Sequence, residues 1–188
     1  MILASLKPYY YYLIGERKKT IEVRKSALKN LPQDIVFYMS KDEKSFAKIP
    51  KEFQEKYRKY FGKIGMRVIC DEVDKWKYLP DCYSEDKDEK MYYISSADGA
   101  AACLTYDEIE NYGESKTLYG LHITALKIYD KPKKLSEFRP ICKFDGKDAI
   151  CALFCLNWKY DGGLFFECTR KVTRPPQSYM RVKELKEV

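Results

Sequence analysis

Residues 18–25 (KKTIEVRK) bring a carboxylate, a guanidinium and several ammonium groups into one short stretch of alternating polarity. Successive side chains of a β-strand point to opposite faces, so a strand here would place Thr20, Glu22 and Arg24 on one face and Lys19 on the other. The first face then carries a hydroxyl, an acid and a guanidinium side by side. Such a face is either a solvated surface or the lining of a site, and the order of the segments around it favours a site.

Two kinds of chemistry fit these residue types. If the protein is an enzyme, Lys19 and Glu22 are the candidate catalytic residues, because a buried lysine with a lowered pKa can act as a base that a glutamate orients or replaces. A binding site needs no activated base or nucleophile. Cations contact phosphates, polar groups form hydrogen bonds with the edge of a base, and tyrosines stack on the base. The candidate nucleic-acid or ligand-binding residues are Lys7, Lys19, Glu22, Arg24, Ser40, Lys41, His122, Gln177 and Ser178.

The net charge of +7 is concentrated in the first third of the chain. Residues 1–60 contain 14 lysines and arginines against seven acidic residues, whereas the rest of the chain contains equal numbers of both. A local basic excess favours a polyanionic partner, although so modest a total also fits ordinary solubility. We therefore expect RNA or another single-stranded nucleic acid, or a modified nucleoside, as the partner.

Length and composition indicate one globular domain. A chain of 188 residues can bury a substantial core, and 45% apolar with 34% charged residues argues against a disordered chain. No stretch approaches ~20 consecutive apolar residues, and the N-terminal apolar run is too short for a signal peptide, so we expect a cytoplasmic protein without a membrane partner. The chain has no P-loop, GxGxxG or HExxH motif, and we predict no cofactor and no metal. The sequence leaves the oligomeric state open.

The seven cysteines are an odd number in a chain without an export signal, so reduced thiols are expected. Four of them cluster late in the chain, at Cys142, Cys151, Cys155 and Cys168. Zinc prefers two closely spaced pairs of ligands, and only one such pair is present here. Buried thiols on one face of a strand explain the cluster as well as a metal does, and the sequence leaves both open.

Periodicity and turn signals predict more strands than helices. The predicted strands are residues 2–6, 20–25, 35–39, 63–73, 91–94, 119–129 and 180–185, and the predicted helices are residues 8–15, 51–60 and 105–112. A short helical turn is predicted at 134–138. The Asp161-Gly162-Gly163 turn between two apolar runs is the strongest hairpin signal. No regular strand-helix-strand rhythm appears, which predicts an α+β fold with a mainly antiparallel, barrel-like sheet.

Three segments follow one another in the first part of the chain: Leu6-Lys7-Pro8, residues 19–25 (KTIEVRK) and residues 35–41 (IVFYMSK). In this order they resemble the first half of the ASCH domain, a small β-barrel family related to the PUA RNA-binding fold. Residues 119–132, with the LSEF that follows, and residues 173–178 (TRPPQS) resemble a branch of the family that is common in phages and prophages of Gram-positive bacteria.

The resemblance implies a single ASCH/PUA-like domain over residues 1–188, in which helices flank a mainly antiparallel β-barrel. Residues 140–170 would form an inserted or elaborated β-hairpin near the C-terminus. The resemblance also implies a cleft, formed by the Lys-Thr-x-Glu-x-Arg strand and its neighbours, that binds nucleic acid or a nucleoside.

Two alternatives stay open beside binding. Some ASCH proteins are amidohydrolases that deacylate modified cytidine, with a motif of a lysine, a threonine three residues on and a distant glutamate. Lys19 matches the lysine, but Glu22 occupies the threonine position and the distant glutamate has no clear counterpart. The other alternative is a phage-encoded protein that binds or inhibits a host protein, which an exposed aromatic patch on the hairpin would favour.

Overall fold

The computed structural model describes residues 1–81, 90–142, 158–160 and 166–185, with residues 158–160 and 166–167 described by their backbone alone. The strands are β1 (Ile2–Leu6), β2 (Ile21–Arg24), β3 (Gln33–Met39), β4 (Ile64–Trp76), β5 (Tyr78–Pro80), β6 (Lys90–Tyr92), β7 (Leu118–Lys133), β8 (Phe138–Pro140), β9 (Trp158–Tyr160), β10 (Phe166–Cys168) and β11 (Tyr179–Glu184). The helices are α1 (Pro8–Gly15), α2 (Glu43–Phe46), α3 (Lys51–Arg58), α4 (Ser96–Ala102) and α5 (Tyr106–Gly113), with a 3-10 turn at Leu135–Glu137.

Seven of the strands form one sheet in the order β2-β7-β4-β3-β1-β11-β8. Its neighbouring strands pair antiparallel, except for β1 and β3, which run parallel and are separated in the chain by α1 and β2. The other four strands form two antiparallel pairs, β5 with β6 and β9 with β10. The predicted α+β class with a mainly antiparallel sheet and flanking helices is confirmed.

The main sheet curls so strongly that its β2 edge returns to β1. Four strand spacings separate these two strands, which would put them roughly 19 Å apart in a flat sheet. The Arg24 side chain on β2 nevertheless donates a 2.6 Å hydrogen bond from Nη2 to the Ser5 carbonyl on β1. The sheet therefore encloses an interior, as a barrel-like fold requires, and the polar face of β2 looks into it.

Local sequence signals account for the helix ends that were predicted. Pro8 opens α1, where its missing N–H costs no hydrogen bond. Thr105 and Glu108 form a capping box at the start of the predicted helix, so that α5 begins at Tyr106 and ends at Gly113. None of the helices in the described part of the chain is long and apolar enough to cross a membrane.

An aromatic core holds α1 against α3 at one end of the sheet. Tyr11, Tyr12 and Tyr57 are all buried. The Tyr57 ring makes edge-to-face contacts with Tyr12 and Tyr11, with centroid distances of 5.5 and 6.4 Å. Such pairs contribute about 0.5–1.5 kcal/mol beyond the area they bury. This packing fixes the position of α1 and, with it, the neighbouring Tyr10.

Several details of the predicted secondary structure are wrong. The short strands β5 and β8 were not predicted, and β4 continues to Trp76 instead of ending at residue 73. The short helices α2 and α4 were not predicted, because four and seven residues carry too little periodicity to recognise. Strand β7 continues through Pro132 to Lys133 instead of ending at residue 129 as predicted. That end of β7 pairs with β4 alone in the described residues, so the missing N–H of Pro132 breaks no ladder on the other side.

The predicted C-terminal hairpin is seen in part. Strands β9 and β10 pair antiparallel, with Phe166 opposite Tyr160 and Cys168 opposite Trp158. The predicted turn at 161–163, the cysteines at 151 and 155, and the aromatic residues at 144, 154 and 165 lie outside the described residues. Within the described part of the chain, no group of three or more His, Cys, Asp or Glu residues is placed to hold a metal ion. The zinc and host-protein alternatives therefore remain untested.

Candidate functional site

A cavity of about 600 Å³ opens above the polar face of β2. Its walls come from the end of β1, from α1, from the residue after β3, from α5 and from the loop before β11. The residues that line it are Ser5, Leu6, Lys7, Tyr10, Lys19, Glu22, Val23, Arg24, Ser40, Lys48, Leu104, Glu108, Asn111, Tyr112 and Gln177.

Three charged side chains form the floor of the cavity, and all of them are buried. The side chains of Lys19, Glu22 and Arg24 are 1%, 9% and 8% exposed. The Glu22 carboxylate lies between the two cations, with Oε1 3.1 Å from Arg24 Nε and Oε2 3.6 Å from Lys19 Nζ. We call these three residues the charged floor. It contains two cations and one anion and has a net charge of +1.

The start of β2 explains how Lys19 comes to lie beside Glu22. Strand parity predicted that Lys19 and Glu22 point to opposite faces, and this prediction is wrong. The ladder with β7 begins only at Ile21, and the Lys19 N–H still donates to the Leu13 carbonyl at the end of α1. Lys19 therefore precedes the strand and turns its ammonium inward, where it donates to the Ala102 carbonyl at the end of α4.

Burial sets the proton affinity of two groups in the cavity. It lowers the pKa of Lys19 below that of an exposed lysine, while the nearby Glu22 carboxylate acts in the opposite direction. Burial, helped by the Glu108 and Glu22 carboxylates, raises the pKa of Tyr10 to about 12, so its phenol is neutral at physiological pH. The cavity thus contains a lysine whose protonated form is destabilised by burial and a tyrosine whose hydroxyl is neutral.

The guanidinium of Arg24 is bound mainly to other groups of the protein. In addition to the Glu22 contact, Nη2 donates to the Ser5 carbonyl at 2.6 Å and Nη1 to the Ser178 carbonyl at 3.4 Å. The guanidinium has five N–H donors, and three of its nitrogens are thereby engaged. Arg24 joins β2 to β1 and to the loop before β11. It therefore positions the charged floor and has few N–H donors left to bind a phosphate.

Two other groups in the cavity keep unused hydrogen-bonding capacity. The Oε2 atom of Glu22 has the Lys19 ammonium at 3.6 Å, but no hydrogen bond of 3.5 Å or less reaches it from the described residues. The hydroxyl oxygen of Ser40 is buried and has no hydrogen-bond partner in the described part of the chain. Buried polar groups are nearly always satisfied, so both atoms are suited to contact a ligand.

Most of the predicted site residues meet in this cavity, and three do not. Those that line it are Lys7, Lys19, Glu22, Arg24, Ser40 and Gln177. Ser178 contributes its carbonyl to Arg24 and does not line the cavity. Lys41 is exposed and packs its aliphatic chain near Gly62.

His122 lies on the other face of the sheet, contrary to its predicted place in the cleft. It pairs with Ile21, whereas Glu22 pairs with Leu121. Directly opposed residues of an antiparallel pair point to the same side, so His122 shares the face of Ile21 and not that of Glu22. Its Nε2 atom instead lies 2.6 Å from the Asp74 carboxylate on β4.

The structure adds lining residues that the sequence analysis missed. Tyr10 and Tyr112 supply aromatic walls, Lys48 supplies a further cation and Asn111 an amide. Tyr10 belongs to the run of four tyrosines at residues 9–12, which was a usable signal. The sequence of α5 gave no comparable signal, because nothing in it shows that this helix packs over β2.

The tyrosine rings are held in place by lysines. The Lys19 ammonium lies 5.3 Å from the centroid of Tyr10, and the Lys25 ammonium lies 5.2 Å from the centroid of Tyr112. Lys25 also pairs with Glu114 at 2.9 Å, just beyond the end of α5. Such cation–π contacts restrict the rings before any ligand arrives, which lowers the entropy cost of binding.

Comparison with known proteins finds solved structures that are similar to this chain. The chain is similar to the crystal structure of ASCH from Zymomonas mobilis, with 18% identity and a TM-score of 0.45 over 99% of this chain and 87% of that one. A mutant of the same Zymomonas mobilis protein gives 16% identity and a TM-score of 0.46, covering 99% and 90% of the two chains. No protein-family model and no curated protein matches the chain.

Proposed function

We propose that this chain is an ASCH-type domain that binds a nucleotide in the cavity above the charged floor, either free or as part of a single-stranded nucleic acid such as RNA. The observation that carries the proposal is the composition of that cavity. A buried cluster of Lys19, Glu22 and Arg24 forms its base, tyrosines form its walls and lysines stand at its mouth. Anionic, aromatic and hydrogen-bonding parts occur together in nucleotides, and the cavity offers a partner for each.

The size of the cavity favours a single nucleotide over a duplex. Pockets for small molecules have volumes of roughly 300–1,000 Å³, and the volume of about 600 Å³ lies within that range. A base in a regular duplex is stacked and paired, so its faces are not available to a pocket. A base that is unstacked or at the end of a single strand can enter such a pocket and stack on an aromatic side chain.

The charges that line the cavity favour an anionic ligand. Four cationic side chains line it, from Lys7, Lys19, Arg24 and Lys48, against two carboxylates, from Glu22 and Glu108. Lys7 and Lys48 are exposed, and no ion pair is seen for either of them in the described residues. Both are therefore free to contact a phosphate at the mouth of the cavity.

A salt titration with variants at the mouth tests this proposal. Fluorescence anisotropy with labelled single-stranded RNA, single-stranded DNA and duplex, at low and physiological salt, is expected to show the strongest binding for a single strand. The Lys7→Ala/Lys48→Ala protein is expected to bind more weakly. On a single strand, its plot of log affinity against log salt should become shallower by about 0.7 for each phosphate that the variant no longer neutralises.

The matched control removes two lysines that are equally exposed but do not line the cavity. Lys44 and Lys51 flank Lys48 in the sequence, and Lys44→Ala/Lys51→Ala changes the net charge by the same amount. If both double variants reduce the salt dependence equally, binding follows general surface charge and the cavity is not the site. If none of the three nucleic acids binds the unmodified protein, nucleic-acid binding is refuted and free nucleotides remain to be tested.

An amidohydrolase acting on an acylated nucleoside is the second candidate, and one observation favours it. Burial lowers the pKa of Lys19 and so favours the neutral amine that a general base requires, and its Nζ atom lies 3.6 Å from Glu22 Oε2, at the distance of an orienting group. Incubation with an N-acylated cytidine, followed by mass spectrometry, distinguishes the two functions. An enzyme releases the free nucleoside and loses turnover in Glu22→Gln while still binding substrate, whereas a binding module returns the substrate unchanged.

A further inference from the structure

The arrangement of charges in the floor disfavours a ligand that enters the cavity with its phosphate first. A phosphate that entered first would meet the Glu22 carboxylate, which lies between Lys19 and Arg24. The Arg24 guanidinium is already bound to Glu22 and to the carbonyls of Ser5 and Ser178, and the Lys19 ammonium donates to the Ala102 carbonyl. The floor therefore has few donors left for an anion, in spite of its net charge of +1.

The floor does offer an acceptor. A carboxylate has about four lone-pair positions, and the described residues give Glu22 one close contact at Oε1 and the Lys19 ammonium at 3.6 Å from Oε2. A ligand can therefore donate at least one hydrogen bond to this carboxylate. Because Lys19 and Arg24 already outweigh its negative charge, a cationic donor is disfavoured and a neutral N–H donor fits best.

We propose that the nucleotide enters base first, so that Glu22 accepts a hydrogen bond from the exocyclic amine of the base while the phosphate stays at the mouth beside Lys7 and Lys48. Glu22 is then the residue that reads the base. The unpartnered Ser40 hydroxyl lines the same cavity and can satisfy a second polar atom of the base. This inference rests on the proposed nucleotide-binding function and deepens it by fixing the orientation of the ligand.

Calorimetric titration with matched nucleotides tests the orientation. Adenosine 5′-monophosphate is compared with purine riboside 5′-monophosphate, and cytidine 5′-monophosphate with 2-pyrimidinone riboside 5′-monophosphate. Each pair differs only in replacement of the exocyclic amine of the base by hydrogen. Loss of the amine is expected to weaken binding to the unmodified protein by about ten- to a hundredfold for the base that the cavity accepts.

A second comparison locates the phosphate. Removing the phosphate, by using adenosine or cytidine in place of its monophosphate, is expected to weaken binding to the unmodified protein. The loss should be much smaller in Lys7→Ala/Lys48→Ala, because the lysines that would hold the phosphate are already absent there. In Glu22→Gln, checked for folding by circular dichroism, the preference for the amino-bearing base should shrink severalfold, because hydrogen bonds to a charged acceptor are roughly twice as strong as neutral ones.

The possible results separate the two proposals. If amino-bearing and amine-free nucleotides bind equally well, the base-first orientation is refuted while nucleotide binding stands. If the preference for the amine is undiminished in folded Glu22→Gln, the assignment of base reading to Glu22 is refuted. If none of the four nucleotides binds, recognition of free adenine and cytosine nucleotides is refuted, and the base-first orientation is refuted with it.

Discussion

Replacing Glu22 with leucine is expected to lower the free energy of unfolding by about 3–5 kcal/mol, the usual cost of removing one partner from a buried ion pair. Glu22 is the only anion of the charged floor. Without it, the buried Lys19 and Arg24 face each other with no compensating charge. Urea denaturation of the purified protein, followed by circular dichroism, measures the change.

Lys19→Met is the matched control, because it removes a charge from the same floor. Glu22 then keeps Arg24 as a neutralising partner, so the remaining pair has no net charge. The lowered pKa of Lys19 also means that its charged form is disfavoured in the folded protein, which makes its removal cheaper. We expect a smaller loss than for Glu22→Leu, about 1.5–3 kcal/mol, the typical contribution of one hydrogen bond from a charged group, here the bond to the Ala102 carbonyl.

The two substitutions are also expected to be coupled. In the Lys19→Met background, Glu22→Leu leaves one uncompensated cation instead of two, so it should cost less than in the unmodified protein. Equal costs of Glu22→Leu in the two backgrounds, or a Glu22→Leu protein as stable as Lys19→Met, would show that the three charges do not act as a unit.

Arg24→Lys is expected to have the second large effect, a loss of about 3 kcal/mol. The side chain of Arg24 connects three elements through Glu22, the Ser5 carbonyl and the Ser178 carbonyl. Lysine keeps the charge but has a single nitrogen, so it cannot make about two of the hydrogen bonds that involve a charged group, at roughly 1.5–3 kcal/mol each. The measurement is again denaturant unfolding.

Arg58→Lys provides the control for the loss of guanidinium geometry. Arg58 forms a two-point pair with Glu43 at 2.9 and 3.0 Å, but both side chains are more than half exposed. Exposed ion pairs contribute little to stability, so Arg58→Lys should lower the free energy of unfolding much less than Arg24→Lys does. If both substitutions have equally small effects, Arg24 does not join the edges of the sheet.

Sequence reasoning located the floor but not its geometry. The alternation in residues 20–24 correctly placed Glu22 and Arg24 on one face, because side-chain parity is a local property of a strand. Lys19 was assigned to the wrong face, because parity does not extend beyond the first residue of a ladder. His122 was placed in the cleft, because the register between β2 and β7, which puts it on the other face, cannot be read from either strand alone.

The walls of the cavity depend on contacts between distant parts of the chain, which periodicity does not reveal. Asn111 and Tyr112 reach the cavity because α5 packs over β2, about 90 positions away in the sequence. The role of Arg24 was likewise hidden. Its residue type suggested a phosphate contact, but the curl of the sheet brings the carbonyls of Ser5 and Ser178 within its reach.

The most direct test of the central claim, that a nucleotide binds in the cavity above the charged floor, is chemical-shift mapping. A titration of the ¹⁵N-labelled protein with adenosine and cytidine 5′-monophosphates would be followed in ¹H–¹⁵N correlation spectra. We predict saturable changes at Lys7, Ser40, Asn111 and Gln177, which belong to four separate segments and meet only in this cavity. Saturable changes confined to another surface, such as the cleft lined by Phe46, Gln54 and Arg58, or no saturable change at all, would contradict it.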